Sequence, residues 1–117
     1  MKITINKLEW QVKLVESHDP LLCVNNTFRT GATWCAKQVI AVARELPVSA
    51  FGKVLRHELA HAFLFSTQGN LPEQYDEEFL CEFMSLYAKS ILEAESEVFK
   101  MVCDDIGGKH VEVYSSL

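Results

Sequence analysis

Between Leu8 and Val15 apolar and polar residues alternate, with Leu8, Trp10, Val12 and Leu14 on one side of an extended chain and Glu9, Gln11 and Lys13 on the other. That period of two predicts a strand with one wet face. Ser17-His18-Asp19-Pro20 breaks it. From Leu22 to Thr33, β-branched residues interrupted by Asn25, Asn26 and Gly31 predict a loop or a short second strand. Lys37 to Ala43, β-branched at its centre, predicts the next strand, and Arg44-Glu45-Leu46-Pro47 a turn.

The period then lengthens. Pro47 or Ser49 opens a helix, because proline suits a first helical turn and serine a cap. Val54, Leu55, Leu59, Ala60, Ala62, Phe63, Leu64 and Phe65 make this helix apolar nearly all round, as expected of a buried central element. Gly69 and Asn70 stop it near Gln68. A loop from Asn70 to Tyr75 leads into a second helix, from about Asp76 to at least Glu97, whose acidic start (Asp76, Glu77, Glu78) suits the positive end of a helix dipole. Phe99 to Ile106 can extend it, Gly107-Gly108 breaks it, and His110 to Tyr114 suits a last strand or an ordered arm. The expected fold class is α+β, a small, mostly antiparallel sheet packed on two helices.

At 117 residues the chain is long enough for one domain with a modest core and too short for two. No apolar run approaches the roughly 20 residues of a membrane span, and Met1 to Asn6 holds no apolar segment of a secretion signal, so a cytoplasmic location without membrane attachment is expected. A formal charge of −5, with no basic cluster longer than a residue or two, weighs against nucleic acid as a partner. Cys23, Cys35, Cys81 and Cys103 are far apart, form no CxxC pair and sit among apolar neighbours, as small core residues of a reducing compartment do.

Chemistry enters at His57-Glu58-Leu59-Ala60-His61, an HExxH sequence. On a helix the two histidines, four apart, share one side, and the glutamate points elsewhere. Imidazole is a good ligand for Zn²⁺, and His57 and His61 can both reach one ion at roughly 2.0–2.1 Å only from a shared face. Glu58 then sits beside an open coordination position as a general base for water. By average residue usage the pattern arises by chance on the order of once in a few hundred chains of this length, so its setting matters. A histidine pair in an apolar helix needs a partner, and a metal ion is one.

A zinc site with an open position normally takes three protein ligands. The longer sequence HExxHxxGxxH fails, because Leu64 and Thr67 stand where its glycine and third histidine belong. A carboxylate of the second helix remains, from among Glu73, Glu77, Glu78 and Glu82. Glu78 and Glu82 share an arc with Ser85, Lys89 and Glu93, a solvated face. Glu77 falls opposite, with Leu80, Cys81, Met84, Ala88 and Ile91, where a carboxylate is costly unless a cation faces it. Glu77 is therefore the expected third ligand and Glu78 the alternative. Tyr75, Tyr87, His18 and His110 could donate to an oxyanion, although core packing explains Tyr87, and solvated loops explain the histidines. Arg56, turned away from the ligand face, suits a structural ion pair.

With the HExxH helix followed by Asp76-Glu77-Glu78-Phe79-Leu80-Cys81-Glu82-Phe83, the region from Gly31 to Leu92 resembles the compact zincin-like metallopeptidases related to the ImmA/IrrE family, most of all the small versions carried by phages and prophages. In those a strand precedes a Leu-Arg-His-Glu-x-x-His-Ala-Phe helix, and a short loop leads to a helix opening with a Glu-Glu pair. The resemblance implies a minimal gluzincin fold in which His57, His61 and Glu77 hold Zn²⁺ and Glu58 is the catalytic glutamate. The family's Glu-x-x-Ala-Asn-x-Phe-Ala pattern keeps Phe83, whereas Leu80, Cys81 and Met84 replace its alanine, asparagine and final alanine, so Glu77 and Glu78 both stay open.

Two functions are consistent with these residues. One is a zinc metallopeptidase that hydrolyses a cytoplasmic protein or peptide. The other is a non-catalytic module in which zinc staples two helices together and the surface binds a partner, as short chains often require. The second has no use for Glu58 and needs a fourth ligand, for which Cys81, one turn beyond Glu77, is the candidate.

Overall fold

A first strand, β1 (Lys2–Ile5), buries Ile3 and Ile5 and turns back through Asn6 and Lys7, both at positive φ (48° and 70°) as a two-residue hairpin demands. The computed structural model describes residues 1–68 and 77–105, with side chains for 1–67 and 78–104. The alternating stretch forms β2 (Leu8–Val15), with Trp10 and Val12 buried and Glu9, Gln11 and Lys13 exposed. A single 3₁₀ turn at Pro20–Leu22, capped by Asp19 Oδ1 accepting from the Leu21 amide (2.9 Å), leads to a small hairpin of β3 (Cys23–Val24) and β4 (Thr27–Phe28). Asn25 and Asn26 supply its left-handed turn residues at φ 52° and 63°.

Two further strands, β5 (Gly31–Trp34) and β6 (Val39–Ala43), complete a four-stranded sheet in the order β1-β2-β6-β5. It is mixed: β1 with β2 and β5 with β6 are antiparallel, whereas β2 and β6 run parallel. Central β6 is buried on both faces, which is why it reads as a continuous apolar run rather than an alternation. Ile40 and Val42 join the main core, and Ala41 and Ala43 meet Leu22 and Ala32 in a smaller cluster on the other face.

The HExxH helix, α1 (Val48–Gln68), lies over the main face and buries Phe51, Leu55, Leu59, Ala62 and Phe63. It is not enclosed on all sides as its composition suggests, because Lys53, Arg56, His57 and His61 stand on an exposed flank. Its C-terminal end is tied to the first hairpin, with Trp10 Nε1 donating to Ser66 Oγ (2.7 Å) and Asn6 Nδ2 to Ser66 O (2.8 Å).

The second helix, α2 (Glu77–Asp105), packs on α1 along Phe83, Ile91, Val98 and Val102. The ion pair expected of Arg56 forms across this contact, with Nη1 2.9 Å from Glu95 Oε1. The stripe expected to be buried is so only at its far end, at Ile91: Leu80 is 50% and Met84 56% exposed, and Cys81 is exposed beside them. The stop at Gly69 and Asn70, the loop to Tyr75, and the segment from Gly107 to Tyr114 lie outside the described residues. The architecture is thus α+β, a mixed four-stranded sheet with two helices. Among the described residues no helix is long and apolar enough to cross a membrane.

Candidate metal centre

One turn of α1 brings the imidazoles of His57 and His61 together. Their Nε2 atoms are 3.3 Å apart, with ring centroids at 4.9 Å and planes at 75°, and both rings are exposed. Two nitrogens, each about 2.0–2.1 Å from one tetrahedral ion, would themselves be about 3.3–3.4 Å apart. The pair therefore has the span of two ligands of a single Zn²⁺, in rotamers already turned towards each other.

Glu58 turns towards the sheet, on the wall of a cleft it shares with both histidines, and is 7% exposed. Thr33 of β5 donates its hydroxyl to Glu58 Oε1 (2.7 Å), and that hydroxyl also lies 3.2 Å from the Glu58 carbonyl oxygen. Gly31, two residues earlier on the same face, makes this approach possible. A Cβ there would fall 2.6 Å from Val54 Cγ1 and 3.0 Å from both Cγ and Oε2 of Glu58, so any larger residue would push the strand off the helix.

No known protein family, characterised protein or solved structure matches the chain. The chemistry of the site is therefore read from its own residues.

Strand β5 ends the sheet among the described residues. The Ala43 amide donates to Thr30 O, so Thr30, Ala32 and Trp34 face β6 in the ladder, and the backbone groups of Gly31 and Thr33 are turned outward. Beside this edge lie two clefts that both touch His57 and Glu58. One, about 380 Å³, runs past Arg29, Lys53 and Val54, and the other, about 170 Å³, runs past Thr33, Cys35 and His61. Burial raises the pKa of the Cys35 thiol above its usual value.

Of the residues singled out in the sequence, His57, Glu58 and His61 are brought together. Glu77 is the first residue of α2, but its side chain, like Glu73, Tyr75 and His110, lies outside the described residues. Glu78 and Glu82 are exposed on α2. Cys81 is exposed, and among the described residues no group of three His, Cys, Asp or Glu side chains converges as a metal site. Tyr87 packs on Phe83 and Phe63, with ring centroids at 5.2 and 6.3 Å, as its core reading has it. His18 sits edge-on to Phe28 at 5.2 Å. Sequence reasoning overlooks Gly31, Thr33 and Arg29. The only hint of them is that Gly31 interrupts an otherwise β-branched stretch, as glycine does where another element approaches closely.

Proposed function

We propose that this protein is a zinc-dependent metallopeptidase of minimal zincin-like architecture. His57 and His61 hold the ion, together with a carboxylate from the start of α2, Glu77; the alternative Glu78 is exposed and does not converge with the two histidines. The observation that carries the reading is the 3.3 Å separation of the two Nε2 atoms, with a buried glutamate on the adjoining residue. At that distance the two rings can share an N–H···N hydrogen bond, and a cation between them would take the place of the shared proton at the same span.

When bound, the ion polarises the scissile carbonyl and lowers the pKa of a coordinated water to about 7. Glu58 is the general base. Thr33 holds its Oε1, which leaves Oε2 to take the proton of the attacking water and pass it to the departing amine. The outward backbone groups of half-buried Thr33 can pair with an extended peptide laid along β5 beside the histidines. The stapling alternative is weakened because Cys81, its candidate fourth ligand, does not converge with His57 and His61.

The test is metal content against cleavage. Wild type is expected to bind one zinc per chain by elemental analysis and to cleave an extended peptide. His57→Ala and His61→Ala lose the zinc. Glu58→Gln keeps the zinc and loses cleavage by a factor of about 10² or more. Equal cleavage by wild type and Glu58→Gln sinks the peptidase reading.

A further inference from the structure

The charge around the candidate site is opposite to that of the molecule. The chain carries 16 acidic against 11 basic residues, yet the larger cleft beside His57 and Glu58 is flanked by Arg29 and Lys53 and, among the described residues, has no acidic side chain on its wall except Glu58 itself. Arg29 also borders the smaller cleft and so belongs to the wall of both. Both cations are exposed, and among the described residues neither forms an ion pair, unlike Lys2 with Glu9 and Arg56 with Glu95. They come from separate elements, Arg29 from the residues leading into β5 and Lys53 from the second turn of α1.

We infer that Arg29 and Lys53 select an acidic peptide, one with Asp or Glu side chains next to the bond held at the histidines. This rests on the peptidase reading for what happens at the metal, though not for the docking itself. A peptide laid beside the half-buried backbone of Thr33, along the cleft that Arg29 and Lys53 flank, carries its neighbouring side chains past the two cations. Carboxylates there meet two unpaired positive charges, whereas lysines meet repulsion. Clefts lined by one sign of charge also concentrate oppositely charged ligands, so the effect grows as salt falls.

The probes are three fluorescent peptides with one apolar centre and flanks of Glu-Glu, Gln-Gln or Lys-Lys. Their binding to the full chain is read by fluorescence anisotropy at low and high salt. The Glu-Glu peptide is expected to bind about fivefold more tightly than the Gln-Gln peptide at low salt, as two exposed ion pairs allow. High salt erases the difference. Arg29→Glu and Lys53→Glu, both at exposed positions, should retain wild-type circular dichroism and reverse the preference towards Lys-Lys. Equal binding of all three peptides overturns the inference, as does an acidic preference that survives both substitutions. A short single-stranded oligonucleotide that outcompetes the Glu-Glu peptide also overturns it, in favour of nucleic acid. Failure here and failure of the peptidase reading are separable: cleavage of all three peptides at equal rates leaves the enzyme and removes the acidic selection. Selective binding without any cleavage does the reverse.

Discussion

At the scale of single residues, the hydroxyl of Thr33 matters most after the histidines, because it fixes a buried carboxylate whose orientation sets where a proton can be taken. The pairing of the two histidines is legible in the chain because both imidazoles ride one helix, so local geometry alone puts them on one side. The partner of Glu58 is not legible, since Thr33 lies 25 residues away and meets it only once β5 is laid against α1. Replacing Thr33 by valine keeps the shape and removes the donor. Thr33→Val should cost about 1–3 kcal/mol of stability, because a buried acceptor loses its partner. In the peptidase reading it should also lower kcat about tenfold or more at unchanged zinc content, since Glu58 is then free to misplace its oxygens. Thr33→Ser, which restores the hydroxyl, should recover kcat. A Thr33→Val protein with wild-type kcat would show that the contact is structural only.

Among the elements, α1 and the strand patterns of β2 and β6 follow from the sequence, and α2 shows where periodicity fails. Its apolar residues occur on more than one side: Leu80, Met84, Leu86 and Leu92 are all at least half exposed, while Phe83, Ile91, Val98 and Val102 carry the contact with α1. With apolar side chains spread so widely, phase alone cannot select the buried line. Packing selects it, through the aromatic contact of Phe83 with Tyr87 and of Tyr87 with Phe63. Stability measurements on two neighbouring positions check this. By urea denaturation Phe83→Ala should lose about 3–5 kcal/mol, as buried aromatic truncations do. Met84→Ala, one residue on, should change stability by no more than about 0.5 kcal/mol. Equal losses at the two positions would mean that the helix packs in a different phase, and the expected grouping of Glu77 with Leu80 and Met84 on a buried stripe would return.

On the scale of the whole molecule, α+β composition is legible but the sheet is only partly so. The strand β1 is too short and too close to the start to stand out, and the parallel pairing of β2 with β6 depends on a connection through a 3₁₀ turn and a small hairpin that no period announces. That sheet gives the fold a core that does not include the histidines. Trp10, Ile40, Leu55, Leu59 and Val98 are fully buried, while His57 and His61 stand outside them on an exposed flank. In the peptidase reading a metal ion at the histidines is a ligand of a folded protein, in the alternative it is a staple, and chelation distinguishes the two. Zinc at about 100 times its dissociation constant stabilises a folded protein by about 2.7 kcal/mol, which for a domain of this size is a shift in Tm on the order of 10 °C. With excess chelator the protein should lose that increment yet keep one cooperative thermal transition and its far-ultraviolet circular dichroism. If chelation instead abolishes the transition, as it does for domains that fold only around their metal, the ion holds the helices together and the catalytic reading gives way to the stapled module.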